Sequence, residues 1–156
     1  MKIAIFGNGK MGKKISQIAI RKGHKIVCIT DSKRPAKFSQ IKNAEVAIEF
    51  STPTTAFENI QYAIQNGVPI VAGTTGWLEK KDEINEKCLK YNGTFLYASN
   101  FSIGVNIFFK INEVIAKIMK TKNYDTSLHE IHHKQKLDSP SGTAITISKK
   151  IEKILN

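Results

Sequence analysis

Residues Leu128 to Ala144, LHEIHHKQKLDSPSGTA, gather the side chains of this sequence best suited to chemistry. His129, His132, His133, Lys134 and Lys136 fall close together, and a Ser141-Gly142-Thr143 turn follows. Two chemistries compete for them. His129-Glu130-Ile131-His132-His133 contains H-E-x-x-H, the pattern with which zinc hydrolases hold a metal, but only on a helix, where both histidines share one face. Here Tyr124 to Ile131 alternates as a strand would, and Pro140 opposes a helical continuation. The lysines would repel a cation, and His24 is the sole further histidine. No metal is expected. A cationic pocket for an anion accounts for more of the residues. His132, His133 and Lys136 supply protons and positive charge, and the N–H groups of a helix opened by Ser141, Gly142 and Thr143 suit a carboxylate. A dicarboxylate fits between those two ends, with simple helix capping as the competing reading of the turn.

A second constellation lies near the start. Gly7-Asn8-Gly9-Lys10-Met11-Gly12 is G-x-G-x-x-G, placed after an apolar run and before a helical pattern. In that context Gly7 permits a tight turn, Gly9 lets a pyrophosphate approach the backbone, and Gly12 lets helix and strand pack closely. A purely structural glycine turn is the alternative. Asp31 follows the next apolar run, where an acidic residue grips ribose hydroxyls. Lys33 and Arg34 beside it suit a 2′-phosphate, so NADH and NADPH both remain open. Ser51, in Phe50-Ser51-Thr52-Pro53, and Gly73, Thr74 and Thr75, in Gly73-Thr74-Thr75-Gly76-Trp77, fall in loops at the carboxyl ends of expected strands, where open sheets bind ligands.

The elements that must position these residues alternate. Ile3–Phe6, Lys25–Ile29, Ala44–Phe50, Pro69–Ala72 and Thr94–Ala98 read as short buried strands. Helical spacing from Met11 to Lys22, over Thr54–Asn66 and over Leu78–Tyr91 separates them. Strands alternating with helices imply right-handed crossovers and a parallel sheet. The fold expected is α/β, a Rossmann-type doubly wound sheet over residues 1–104. The beginning of a second α+β substrate domain follows over 105–156. In that part, Val105, Phe108, Asn112, Ile115 and Met119 mark an amphipathic helix, Tyr124–Ile131 a strand, and Thr143–Leu155 a last helix. The apolar stripe of that helix, Ile147, Ile151, Ile154 and Leu155, is expected to lack a sheet to cover.

Bulk properties narrow the class. The 156 residues carry 24 Lys and Arg against 13 Asp and Glu, a net charge of +11. That suits small polyanions, but no interleaving of aromatic and basic residues points to nucleic acid. No run approaches the ~18 apolar residues of a membrane span, and the first apolar run is too short for a signal peptide. A cytoplasmic protein is expected. Cys28 and Cys88 have no metal-like spacing and read as buried thiols.

Glu130 to Ala144, EIHHKQKLDSPSGTA, resembles the long motif of the dihydrodipicolinate reductase (4-hydroxy-tetrahydrodipicolinate reductase) family. Gly7 to Gly12, Gly73 to Gly76 and Ala98 to Asn106 are similar to its other motifs, in the same order, so the resemblance spans nearly the whole chain. It implies NADH- or NADPH-dependent reduction of 4-hydroxy-tetrahydrodipicolinate to tetrahydrodipicolinate, in diaminopimelate and lysine biosynthesis. It further implies that His132 donates a proton and that Lys136 assists or binds substrate. His133, Gly142 and Thr143 would hold the carboxylates. Gly7 to Gly12, Asp31, Gly73 to Thr75, and Ala98, Ser99, Asn100 and Phe101 would bind the nucleotide. Ser99 stands where the family often has proline. Family members continue well beyond the length seen here, adding most of the second domain's sheet, through which they are usually homo-tetrameric. The resemblance therefore implies a C-terminally truncated member, with nucleotide binding without turnover as the competing outcome and its assembly open.

Overall fold

The computed structural model describes residues 1–31, 41–132, 134 and 139–156. Lys33, Arg34, His133 and Lys136 lie outside the described residues. The chain divides into two compact units, Met1–Ala98 and Ser99–Asn156.

In the first unit the expected alternation forms. The strands are β1 (Lys2–Phe6), β2 (Lys25–Thr30), β3 (Val46–Glu49), β4 (Ile70–Ala72) and β5 (Phe95–Tyr97). Between them run helices α1 (Lys10–Arg21), α2 (Pro53–Gln65) and, after a 3-10 turn at Leu78–Lys80, α3 (Lys81–Lys90). The five strands among the described residues are all parallel and ordered β2-β1-β3-β4-β5. Each face of this sheet needs an apolar cover, because parallel strands are buried on both sides. One face stacks Ile3, Ile5, Ile26, Val46 and Ile48 under Ile15 and Ala19 of α1. The other seats Phe6, Ala47, Ile70 and Ala72 against Phe57, Ile60 and Ile64 of α2 and Ile84 of α3. The sheet is thus doubly wound, as its alternating pattern requires. The chain leaves β1 for opposite neighbours, β2 on one side and β3 on the other, which makes their carboxyl ends the topological switch point.

In the second unit α4 (Ile103–Met119) packs on α5 (Gly142–Leu155). Two expectations are corrected here. Tyr124–Ile131 forms no strand. Residues 123–132 carry no regular structure and are exposed, since no described strand neighbours them to complete a hydrogen-bond ladder. The expected amphipathic helix forms as α4, with Phe109 and Ala116 its most buried residues and Phe108, Asn112, Ile115 and Met119 lining the groove against α5. The stripe of α5 is not bare. Ile147 is buried, and Ile151, Ile154 and Leu155 are half-buried. It is α4 that presents apolar side chains outward, among them Ile103, Ile107, Ile111, Val114 and Ile118.

Candidate functional site

The glycine motif is built as a turn from β1 into α1. Gly7 has φ +103°, and a Cβ there would meet the Phe50 carbonyl oxygen at 2.1 Å, so only glycine fits. Its N–H donates to Thr30 O at 3.0 Å, which ties the turn to the end of β2. A Cβ on Gly12 would lie 1.8 Å from Gly7 O, so α1 approaches the turn as closely as backbone allows. At Gly9 the finding is opposite: a Cβ would meet nothing within 4 Å. Gly9 caps α1 without a side-chain hydrogen bond, and the first turn holds no acidic residue. Open space therefore faces helix N–H groups that have no partner within the helix, a cradle fitted to an anion such as the pyrophosphate of NADH or NADPH. Asn8 Nδ2 donates to Asp31 Oδ2 at 3.3 Å, so the motif and the acid after β2 meet.

The loops after β3 and β4 adjoin the same turn. The Phe50 ring lies where a Cβ on Gly73 would be, at 2.2 Å, and the Ser51 N–H donates to Thr74 Oγ1 at 2.9 Å. Trp77 is buried, donates its Nε1–H to Thr74 O at 2.7 Å, and packs edge-on against Phe95 and Tyr97, which holds the Gly73–Trp77 loop in place. Gly7, Gly9, Gly12, Asp31, Ser51, Gly73 and Thr74 thus converge at the switch point.

One member of this cluster is absent from the sequence reading. Glu49, the last residue of β3, is completely buried, and its Oε1 accepts from Ser51 N–H at 2.8 Å, from the Ser51 hydroxyl, and from the Thr74 hydroxyl at 3.0 Å. The signal was present as a lone acid ending the apolar run Val46-Ala47-Ile48.

Within the second unit, His132, Ser141 and Thr143 line one groove of about 500 Å³ with apolar residues of α4 and α5. Glu130 organises its polar end. Its Oε2 lies 3.4 Å from His132 Nδ1, and its Oε1 accepts from Ser141 N–H at 2.9 Å. A carboxylate at Nδ1 favours the tautomer with the proton there and leaves Nε2 for exchange with a ligand. The Ser141 hydroxyl caps α5 by accepting from Ala144 N–H at 3.0 Å, and its carbonyl accepts from Ile145 N–H at 2.9 Å. The N–H groups of Gly142 and Thr143 are in the first turn, without intrahelical partners. From the sequence, Glu130 had no role of its own beyond its place in H-E-x-x-H and in the long motif that begins with it. His129 to His132 are not helical, so the shared face which that motif needs is not formed by the described residues.

Ser99 to Phe101 open the second unit, one residue after Ala98. Ser99 Oγ pairs with Thr146 Oγ1 at 2.9 Å, Asn100 Oδ1 accepts from Ser102 N–H at 2.8 Å, and the Phe101 side chain is exposed. Burial pushes the Cys28 and Cys88 thiols up, away from the thiolate that a nucleophile needs. No helix among the described residues is long and apolar enough to cross a membrane.

A doubly wound parallel sheet with a glycine turn at its switch point defines a Rossmann-like nucleotide-binding α/β protein. The family model for the N-terminus of dihydrodipicolinate reductase matches residues 1–101, and the model for its C-terminus matches residues 104–155. The chain belongs to the dihydrodipicolinate reductase family. It is 45% identical over 152 residues to 4-hydroxy-tetrahydrodipicolinate reductase of Christiangramia forsetii, covering 97% of this chain and 64% of that relative. It is 39% identical over 156 residues to the enzyme of Alkaliphilus metalliredigens, covering 98% and 63%. A solved structure of dipicolinate-bound dihydrodipicolinate reductase from Paenisporosarcina sp. TG-14 superposes with a TM-score of 0.75 at 27% identity, covering 99% of this chain and 66% of that one. The chain therefore spans slightly less than two thirds of the length of the first two relatives.

Proposed function

We propose that this chain takes part in the NADH- or NADPH-dependent reduction of 4-hydroxy-tetrahydrodipicolinate to tetrahydrodipicolinate, on the route to diaminopimelate and lysine. The observation that carries the reading is the open cradle at Gly9, set between the tight contacts of Gly7 and Gly12 at the switch point. Residues 1–104 act as the dinucleotide-binding domain, and 105–156 belong to the substrate-binding, catalytic domain. When bound, a reduced nicotinamide supplies the hydride. The N–H groups following Gly9 hold the pyrophosphate, with Asn8, Lys10 and Met11 framing it. Asp31 takes ribose hydroxyls. Ser51, Gly73, Thr74 and Thr75 bound the nicotinamide side, and Ala98, Ser99, Asn100 and Phe101 are assigned to the nucleotide by the family resemblance alone.

His132 gives the proton that accompanies reduction as the substrate hydroxyl leaves as water. Its ring is oriented by Glu130, which fixes the direction in which a general acid gives its proton. Lys136 and His133 add positive charge that stabilises the anionic substrate and intermediate. The first-turn N–H groups of Gly142 and Thr143 take a carboxylate, with Ser141 fixing the start of that helix. The Paenisporosarcina relative is described with dipicolinate bound, a dicarboxylate of the kind this pocket suits. A cytoplasmic location and small-molecule partners, without nucleic acid or membrane, belong to the same reading. The test is steady-state oxidation of NADH and NADPH by the chain with and without substrate. Substrate-dependent oxidation supports the proposal. Nucleotide binding without any substrate-dependent oxidation favours a family member that binds and does not turn over.

A further inference from the structure

We propose that Glu49 is a positioning residue for the nicotinamide half of the dinucleotide, acting through Ser51 and Thr74; this rests on the nucleotide reading above. Strand order places it there. Asp31 ends the segment after β2, on one side of β1, whereas β3 and β4 lie on the other. A dinucleotide with its pyrophosphate at Gly9 and its adenosine ribose at Asp31 runs its other half over the carboxyl ends of β3 and β4. Those are the ends that Glu49 ties together.

The hydrogen bonds show how complete the tie is. Ser51 Oγ donates to Glu49 Oε1 and accepts from Thr55 Oγ1 at 3.0 Å and Asn59 Nδ2 at 3.1 Å. Thr74 Oγ1 donates to Glu49 at 3.0 Å and accepts from Ser51 N–H at 2.9 Å. Both hydroxyls are thus engaged inward, and the two loops are left to meet a ligand with backbone groups held in fixed places. A fold that needed only to fill this space would do so with an apolar residue, as it does with Phe6 in the neighbouring register position. Instead it keeps a carboxyl with no exposure whose Oε2 has no hydrogen-bond partner among the described residues. In the same row across Ala72 stands Tyr97, whose buried hydroxyl likewise has no partner among the described residues. Uncompensated polarity of this kind collects where function overrides the stability of a core.

The experiment measures the affinity of the full chain for NADH and NADPH and, separately, for ADP-ribose and 2′-phospho-ADP-ribose, which carry every part of NADH and NADPH respectively except the nicotinamide. Glu49→Met keeps the length of the side chain and removes the acceptor. It should weaken dinucleotide binding by roughly tenfold or more, while affinity for the matching probe without nicotinamide stays within about twofold. Glu49→Gln, which retains one acceptor oxygen, should recover most of the loss. Thr74→Val removes a single donor to the same oxygen and should show the same selective loss at smaller size. It carries the test should Glu49→Met fail to fold. Equal losses for probes with and without nicotinamide in the folded variants would mark Glu49 as a plain structural residue, and unchanged dinucleotide affinity would leave it no role at the site. Either result overturns the proposal while the nucleotide reading stands. A wild-type chain that binds none of these probes overturns the nucleotide reading and this inference with it.

Discussion

Gly9 and Gly12 lie three residues apart and answer differently to an added side chain. Gly12→Ala drives a methyl group into the Gly7 carbonyl and should destabilise the chain by about 1–3 kcal/mol, read as a lowered Tm. Gly9→Val meets open space and should lower stability by at most about 1 kcal/mol, the scale of a helix-cap change. A Gly9→Val variant that unfolds as readily as Gly12→Ala would mean that both glycines serve packing alone. For the chemistry, His132→Gln and Lys136→Met should lower kcat by roughly 10²–10⁴-fold, the usual contribution of an acid–base group, with nucleotide affinity retained. EDTA should leave turnover unchanged, and activity lost to EDTA and restored by zinc would return the metal reading of His129 and His133. The glycine motif and the histidine cluster were legible because their residue types are rare and their spacing is fixed by backbone geometry. Glu49 and Glu130 were not. Each acts through a partner distant in sequence, Thr74 for one and Ser141 for the other, and sequence periodicity carries no record of such pairs.

At the scale of elements, α4 and α5 are joined by Glu113, which pairs with Lys150 and, at 3.3 Å, with Lys110. The hydrogen bond from Lys150, then that from Lys110, holds the Glu113 carboxyl below its ordinary value of 4.5. A carboxyl depressed on folding contributes stability above its unfolded value, and that contribution is lost as pH falls through the folded value. The wild type should therefore exceed Glu113→Gln in Tm at neutral pH, and the two should converge as the pH is lowered below 4.5. The gap should be small and shrink with salt, because the pair is open to solvent. A difference that persists undiminished in acid would mean that Glu113 acts by packing. The strands and helices of the first unit were legible because parallel strands are continuous apolar runs and their helices carry one apolar stripe. Tyr124–Ile131 misled because alternation describes what a strand can bury, whereas a strand exists only where a neighbour pairs with it. Which side chains of α4 bury most deeply is decided in the same way. Val105, Phe108, Phe109, Ile115 and Ala116 are all apolar, and the partner helix decides which of them turn inward.

For the whole molecule, the two units differ in how their apolar surface is satisfied. The first buries both faces of its sheet. The second exposes Ile103, Ile107, Ile111 and Ile118 on α4, and residues 123–132 carry no regular structure. Local opening follows buried contacts and protected hydrogen bonds, so amide exchange should be slower at the centre of β1, β3 and β4 than anywhere in residues 99–156. Equal protection in the two units would show that something covers α4 in solution. The central claim is that the carboxyl end of the first unit's sheet binds a reduced dinucleotide through the cradle at Gly9. Titration of NADH and NADPH into the wild-type chain and into folded Gly9→Val tests it most directly. Saturable binding to the wild type and none to the variant is the result expected. Equal binding to both, or none to either, would contradict it.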